Sequence, residues 1–134
     1  MTPEQMAALH AAAMDTRPWT ATEFEGLIAT GAIALGDTHA FALYRVAADE
    51  AELLTIATHP EHRRAGRASK LLLDLHEAAR ALGATRVFLE VASRNAPARA
   101  LYTAAGYAEI GRRSRYYSER NAAPDDAIVM QKRL

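Results

Sequence analysis

The chain has 134 residues, half of them hydrophobic and about a quarter charged, and its formal net charge at pH 7 is zero. This composition is typical of a globular protein, so we expect residues 1–134 to form a single domain. Balanced charge argues against a general nucleic-acid binder, and the lack of cysteine excludes disulfides, thiolate metal sites and a cysteine nucleophile. With no secretory pattern and no apolar run near the roughly 20 residues that span a bilayer, we expect a cytoplasmic protein without membrane contact.

The first part of the chain predicts two helices followed by three strands. Thr2-Pro3-Glu4-Gln5 and Thr20-Ala21-Thr22-Glu23 both have the pattern of a capping box, so a helix should begin at each. Arg17-Pro18-Trp19 should separate the two helices, and Gly31 should end the second. The three strand-like runs are residues 32–35, 39–47 and 51–58, with predicted turns at Gly36-Asp37 and Asp49-Glu50.

The second part of the chain predicts an alternation of helices and strands. Apolar residues at helical spacing indicate a helix over residues 67–82 that ends at Gly83; they are Leu71, Leu72, Leu75, Ala79 and Leu82. Residues 86–91 are mostly apolar, which is typical of a strand buried on both faces. Asn95 can cap a helix over residues 96–105. Two strands follow, near 107–117 and 126–133, with the loop Ser118–Asp125 between them. The fold class is therefore α/β (α+β).

A short basic loop, Arg63-Arg64-Ala65-Gly66-Arg67-Ala68-Ser69, connects the third strand to the third helix. The first amides of a helix have no partner within the helix and carry the partial positive charge of its dipole. A glycine in such a loop also lets the backbone approach a ligand closely. The segment therefore predicts a site for a phosphate-bearing cofactor. The alternative is a solvated run of charge.

A second segment, residues 89–107, makes the interpretation more specific. With the basic loop, it resembles the GNAT superfamily of acetyl-CoA-dependent N-acetyltransferases, and within it the bacterial ribosomal-protein-alanine N-acetyltransferases (RimI type). The other similar segments are Arg17–Phe24, Arg112–Tyr117 and Asp125–Met130. The resemblance implies a GNAT fold. In this fold about four helices flank a mixed sheet of six to seven strands, which is splayed between two parallel strands.

The resemblance also implies where acetyl-CoA binds, as a cosubstrate and without a metal. It would lie between the strands that end at Thr58 and Val91, where unpaired strand amides could bond its amide-rich pantetheine arm and polarise the thioester carbonyl. Ala68 stands where the family motif commonly has a second glycine, and we expect binding to survive unless φ is positive there. The implied cofactor-binding residues are Ile56, Ala57, Thr58, Arg64, Ala65, Gly66, Arg67, Ala68, Ser69, Asn95 and Tyr102.

For catalysis, the resemblance implies Glu90 as general base and Tyr102 as general acid. An amine must be neutral to attack a thioester, and the departing thiolate gains from a proton. Without a cysteine, direct transfer in a ternary complex is the expected route. The alternatives are that Glu90 is a strand-end carboxylate paired with Arg86 or Arg94, and that Tyr102 is an ordinary core residue. His59 and His62 lack a third ligand at suitable spacing, so we expect no metal site there.

The acceptor implied by the resemblance is a protein N-terminal α-amine, the N-terminal alanine of a small-subunit ribosomal protein. Trp19 on one side and Tyr116 with Tyr117 on the other would form the walls of a peptide groove. The alternative is that Trp19 packs between the first two helices and that one of the tyrosines faces inward. At neutral pH, deprotonating an α-amine costs about 1 kcal/mol and deprotonating lysine about 4–5 kcal/mol, so the proposed machinery suits an α-amine without selecting it.

Three other functions stay open at this stage. The same enzyme class could act on a lysine, a polyamine or another small amine. A non-catalytic acyl-CoA-binding or regulatory module is a different class, against which Glu90, Asn95 and Tyr102 argue together. The third is an assembly partner of a tRNA-modifying complex. We expect a monomer that makes no direct contact with nucleic acid.

Overall fold

The computed structural model describes residues 1–14, 17–117 and 125–134. The described chain forms four α-helices and six strands in the predicted order. Their bounds are α1 (Pro3–Ala13), α2 (Ala21–Ala29), β1 (Ile33–Gly36), β2 (Ala40–Ala47), β3 (Glu50–Thr58), α3 (Arg67–Ala81), β4 (Arg86–Ala92), α4 (Ala96–Ala104), β5 (Ala108–Tyr117) and β6 (Asp125–Arg133). A 3₁₀ turn at Pro60–His62 was not predicted. Most of the predicted loop Ser118–Asp125 lies outside the described residues.

The six strands form one mixed sheet in the order β1-β2-β3-β4-β6-β5. β3 and β4 are parallel and every other neighbouring pair is antiparallel. Parallel neighbours need a crossover connection, and α3 supplies it. The fold class expected from the sequence is confirmed. In the described parts of the chain, no helix is both long and apolar enough to cross a bilayer.

Two apolar cores lie on opposite faces of the sheet. The first packs α3 and α4 against the sheet and includes Leu72, Leu75, Leu89 and Ile128. The second packs α1 and α2 against the other face. Its buried members are Met6, Leu9, Phe24, Ala32, Phe41, Leu43 and Ala57. The strand residues of this second core belong to β2 and β3, so its helices cover only one half of their face.

The strand β4 is buried on one face, so the prediction of burial on both faces was wrong. Val87, Leu89 and Val91 are buried and face α3 and α4, whereas the residues that alternate with them are partly exposed. The reason lies in the uneven cover given by α1 and α2. A mostly apolar run does not reveal this, because its outward face includes Phe88.

Two smaller expectations were also wrong. The turn between β2 and β3 is formed by Ala48 and Asp49, with Ala48 at a φ of 55°, and Glu50 already pairs with Ala47. Alanine rarely adopts positive φ, so the sequence gave no signal for this turn. Leu82, assigned to the inner face of α3, is 53% exposed because it lies just beyond the helix end.

Two histidines are buried, one in each core. The Nδ1 atom of His10 accepts a hydrogen bond from the Trp19 amide at 3.0 Å, so its Nε2–H donates to Thr55 Oγ1, also at 3.0 Å. His76 Nε2 and the Tyr107 hydroxyl are 2.8 Å apart. Burial lowers the pKa of each imidazole to about 4, with Lys132 and Arg80 contributing for His76. Both histidines are therefore neutral at pH 7.

We predict that the protein loses stability between pH 6.5 and 5, above the range in which most carboxylates titrate. The pKa of each imidazole is lower in the folded than in the unfolded state, so the unfolded chain binds more protons there, and stability falls as the pH falls. The slope approaches about 1.4 kcal/mol per pH unit for each histidine. Urea unfolding at several pH values measures it. His76→Gln should give a shallower slope, and a free energy of unfolding independent of pH in this window would contradict the prediction.

Candidate cofactor and acceptor site

The parallel pairing of β3 and β4 stops soon after it begins. The two strands pair at Glu50 with Arg86, Ala51 with Val87 and Glu52 with Phe88. Beyond that, β3 continues to Thr58 beside β2, and β4 continues to Ala92 beside β6. Within the described strands, the facing edges of these two segments have no strand between them. Backbone amides and carbonyls along such edges need another partner, so an amide-rich ligand can bind there.

A β-bulge in β3 lies next to the point where the pairing ends. Against β2, Thr55 pairs with Leu43 and Leu53 pairs with Tyr44, so Leu54 is an extra residue in β3. A bulge bends its strand and increases the local twist. Leu54 is two residues after Glu52, so the bend coincides with the end of the pairing between β3 and β4. It also places Ile56, Ala57 and Thr58 along the opening.

The N-terminus of α3 has no side-chain cap. Its N-cap is Gly66, at a φ of 72°, and no side chain of the described residues caps the first amides. The other three helices begin with a side-chain cap from Thr2, Thr20 and Asn95. The first intrahelical bond runs from the Lys70 amide to the Gly66 carbonyl at 3.0 Å, so the amides of residues 67–69 point out of the helix end. This end suits a phosphate group.

The backbone conformations of Arg64 and Ala68, on either side of Gly66, test whether an alanine is tolerated in this loop. Arg64 adopts a φ of 66°, a conformation that costs a non-glycine residue about 1 kcal/mol and is often found at functional sites. Ala68 lies in the first turn of α3 and is not among the residues with positive φ. An alanine at this position therefore causes no backbone strain.

The arginines of the loop point in different directions. Arg63 Nη2 donates to the Ala13 carbonyl at 2.9 Å, which holds the loop to the end of α1. Arg67 is partly exposed, and its Nε is buried without a hydrogen-bond partner among the described residues. Among the described residues no cluster of side chains could hold a metal ion, although His39 and His62 stack with ring centroids 3.8 Å apart.

Asn95 and Tyr102 are both on or next to α4. The Asn95 Oδ1 atom accepts from the Ala98 amide at 3.3 Å, so the predicted cap is present. The Asn95 amide nitrogen and the second lone pair of Oδ1 stay available for a ligand. Tyr102 is 7% exposed and belongs to the core beneath α3 and α4. Its ring lies edge-on to Tyr107, with centroids 5.9 Å apart. Tyr102 is therefore a core residue, as the alternative had it. It could also act in catalysis only if its hydroxyl reaches the opening between β3 and β4.

Glu90 forms an ion pair that the sequence did not predict. Its Oε1 atom lies 2.8 Å from Nη2 of Arg113 on β5. The alternatives considered from the sequence were wrong, because Arg86 pairs with Glu50 and Arg94 pairs with Asp125. The Glu90 side chain is 27% exposed, on the half of the sheet that α1 and α2 leave open. An acceptor can approach Glu90 from that side.

Glu90 and Tyr102 lie on opposite faces of the sheet. Side chains alternate along β4, and Leu89 and Val91 share a core with Tyr102, so Glu90 points to the other face. The unpaired parts of β3 and β4 lie between these two faces. A thioester held there would have one catalytic candidate on each side, which is the arrangement that a separate base and acid require.

The expected walls of the acceptor groove are only partly described. Trp19 is partly exposed and packs against His10 and Phe24, with ring centroids 5.0 and 5.6 Å away. Trp19 therefore packs between the first two helices, as the alternative had it. The exposed part of its ring is accessible to a ligand. Tyr116 and Tyr117 end β5, but their side chains lie outside the part that the structure describes.

Comparison with known proteins agrees with this geometry. Residues 3–107 match the family model described as "Acetyltransferase (GNAT) family". The chain belongs to this family. The resemblance and the GNAT fold expected from the sequence are thereby confirmed, and the enzyme class that was expected is the class of this family.

Two groups of relatives extend the comparison. The chain is 38% identical over 95 residues to the [ribosomal protein bS18]-alanine N-acetyltransferase of Escherichia coli K12, and 34% identical over 91 residues to that of Haemophilus ducreyi. These matches cover 71% and 68% of this chain, and the chain spans 64% and 63% of those proteins. The crystal structure of the Escherichia coli ribosomal-protein-S18-alanine N-acetyltransferase superposes with a TM-score of 0.86 at 29% identity, covering 96% of this chain and 85% of that one.

A more distant structure shows the fold alone. It is the NatC complex bound to Gag peptide and CoA, and one of its chains superposes with a TM-score of 0.82 at 16% identity. The match covers 99% of this chain and 91% of that one. Even at this low identity, almost the whole chain keeps the same arrangement of helices and strands.

We predict that Gly66→Ala weakens acetyl-CoA binding about fivefold, a loss of about 1 kcal/mol, because the helix end must shift to relieve the positive φ. Gly83→Ala is the matched control. Both glycines have positive φ and open space around an added Cβ, but Gly83 lies at the other end of α3. Calorimetric titration should show weaker binding only for Gly66→Ala, whereas unfolding should show a similar loss, about 1 kcal/mol, for both. If both variants bind acetyl-CoA with the same affinity, the N-terminus of α3 is not part of the cofactor site.

Proposed function

We propose that this protein transfers the acetyl group of acetyl-CoA to the N-terminal α-amine of a protein. The proposed acceptor is the N-terminal alanine of a small-subunit ribosomal protein, the acceptor class for which its relatives in Escherichia coli and Haemophilus ducreyi are named. The observation that carries the proposal is the opening between β3 and β4, with Glu90 on one face of the sheet and Tyr102 on the other. We expect a cytoplasmic monomer.

The residues that would hold acetyl-CoA come from two elements. The amides along β3, from Ile56 to Thr58, would bond the pantetheine arm and polarise the thioester carbonyl. The amides of residues 64–69 would bind the diphosphate, with charge from Arg64 and Arg67. When bound, acetyl-CoA supplies a thioester carbon that an amine can attack. The bulge at Leu54 and the uncapped end of α3 support this assignment, because both leave backbone amides directed away from the protein's own hydrogen bonds.

Glu90 would act as the general base. Its carboxylate lies on the open half of the sheet, where a peptide can approach, and it is partly exposed. As the bond between nitrogen and carbonyl carbon forms, the amine nitrogen must lose a proton, and a carboxylate on that side can accept it. The acceptor would run between Trp19 and the end of β5.

Tyr102 would act as the general acid from the other face. The thiolate that leaves needs a proton, and a phenol next to the opening can donate one. The neighbouring Tyr107 is a poorer candidate, because burial raises its pKa and its hydroxyl lies 2.8 Å from His76 Nε2.

A peptide panel tests the proposed acceptor. Peptides with an N-terminal alanine are compared with the same peptides carrying a blocked N-terminus and a free lysine, and acetylation is measured by mass spectrometry. Transfer to the free N-terminus only supports the proposal. Transfer to the blocked peptides would show a lysine acetyltransferase. Acetyl-CoA binding by calorimetry without transfer to any peptide or small amine would show a binding module instead.

We predict that Glu90→Gln lowers kcat about 100-fold, because the amide cannot accept the proton, and that it leaves the affinity for acetyl-CoA unchanged. Steady-state kinetics and calorimetry measure the two quantities. Glu52→Gln is a suitable control, since this carboxylate lies on β3 and pairs with Arg45. Unchanged turnover in Glu90→Gln would remove Glu90 from the mechanism.

We predict that Tyr102→Phe also lowers kcat about 100-fold, because the phenylalanine keeps the ring that packs in the core but lacks the hydroxyl that would donate the proton. Tyr107→Phe is the matched control. It removes a phenol from the same core, together with its bond to His76, and should lower the melting temperature without lowering kcat. If the two variants have the wild-type kcat, the thiolate leaves without a proton from either tyrosine.

A further inference from the structure

We infer that Arg113 is a specificity-determining and positioning residue, which keeps protonated amines away from Glu90 so that the acceptor binds as the neutral amine. The inference rests on the proposed function and deepens it, because it explains how the site would favour amines of low pKa. It depends on one contact, between Nη2 of Arg113 and Oε1 of Glu90 at 2.8 Å.

The sheet register brings these two side chains together although their strands are not neighbours. Glu90 pairs with Val129 on β6, and Ala127 on β6 pairs with Arg113 on β5. Paired residues point to the same face of a sheet, so all four side chains lie on the face of Glu90. Arg113 must therefore cross β6 at Ala127, which is fully buried. Because Ala127 has a small side chain, the long side chain of Arg113 can extend over this position toward Glu90.

The position next to Arg113 on the same face also leaves room. Gly111 pairs with Val129, in the row of Glu90, and it has no side chain that could stand between β5 and the carboxylate. Its φ is not positive, and an added Cβ would only touch Val129 at 3.9 Å. The backbone conformation at Gly111 therefore does not require a glycine. Because glycine has no side chain, the space beside Val129 and Glu90 stays free on this face.

On β6, Lys132 and Arg133 pair in the sheet with Val87 and Arg86, at the end of β4 that is farther from Glu90. Several other charged side chains on the elements around Glu90 have opposite charges or carbonyls as partners elsewhere. These contacts are Arg112 with Glu109 and Asp126, Arg94 with Asp125, Glu52 with Arg45, Arg86 with Glu50, and Arg99 with the Ser93 carbonyl. The titratable side chains nearby on the helices are His10 on α1, neutral at pH 7, and Tyr102 on α4. Within the described part of the chain, the ion pair of Glu90 is with Arg113.

The guanidinium has a direct consequence for an amine that approaches Glu90. A positive charge within a few ångströms disfavours the ammonium form of the acceptor and leaves the neutral form less affected. The α-amine, with a pKa near 8, is about one-tenth neutral at pH 7, whereas lysine, with a pKa near 10.4, is almost wholly protonated. Exclusion of ammonium therefore selects α-amines. Without Arg113, Glu90 would attract the ammonium form and bind it in a state that cannot react.

The test uses the full chain and an alanine-terminated peptide, with kcat and KM measured at pH 7 and pH 9. For the wild type, KM should fall about tenfold from pH 7 to 9 because only the neutral amine binds. In Arg113→Gln both forms bind. Relative to the wild type, KM and kcat at pH 7 should therefore both fall about tenfold, leaving kcat/KM nearly unchanged, and the two enzymes should converge at pH 9. Arg113→Lys should behave as the wild type, because it keeps the charge.

A peptide with a trimethylated N-terminus, which carries a fixed positive charge, supplies a second measurement. It should inhibit Arg113→Gln about tenfold more strongly than the wild type or Arg113→Lys. Arg112→Gln is the matched control, since it removes the same charge from the next position of β5, and it should resemble the wild type in both assays. A purely structural role predicts an equal loss of kcat at both pH values and no change in inhibition. That result would overturn the inference, as would an Arg113→Gln enzyme identical to the wild type. If the wild type acetylates no α-amine, the proposed function itself fails.

Discussion

The hydrogen bonding of β3 and β4 is the constraint on which the candidate site depends. Three residue pairs are enough to hold the two strands parallel, and the bulge at Leu54 then turns β3 away. Fully paired strands would give a more continuous sheet but no route from one face to the other. The opening instead leaves backbone groups whose burial without partners is costly, so its physical chemistry favours a ligand that carries amides of its own.

The distribution of the helices gives the two faces of this opening different environments. On one face, α3 and α4 complete a core that includes Tyr102, and α3 also directs its uncapped N-terminus outward. On the other face, α1 and α2 pack over β2 and β3 and leave β4, β6 and β5 to solvent or to a ligand. A cofactor with a long flexible arm suits the first environment, and an extended peptide suits the second. The asymmetry of the fold would thus place the two proposed substrates on different faces before any side chain contacts them.

Much of the fold could be predicted from the sequence because its signals are local. The capping boxes at Thr2 and Thr20, the cap at Asn95 and the glycine after α3 each act within a few residues, and all of them are present in the structure. For the candidate site, the expectation of a phosphate-binding helix end came from a local pattern, whereas the roles of individual residues came from a resemblance. The partner of Glu90 was not, because Arg113 reaches it across β6, and this depends on the order β4-β6-β5 and on a register that no local pattern contains. The bulge at Leu54 was missed for the same reason.

A carboxylate on a partly covered sheet face is costly in the free protein, because the charged group loses part of its contact with water. Glu90 is about three-quarters shielded from water, and an ionised group in that position is stabilised by an opposite charge. A hydrophobic residue in place of Arg113 would leave the carboxylate poorly solvated, and a fixed partner on β4 itself would block the acceptor. An arginine on β5 avoids both. Its guanidinium contacts one carboxylate oxygen of Glu90, whereas its backbone pairs with Ala127 two strands away from β4's open edge. The same contact that stabilises the free protein then determines which form of an amine can enter.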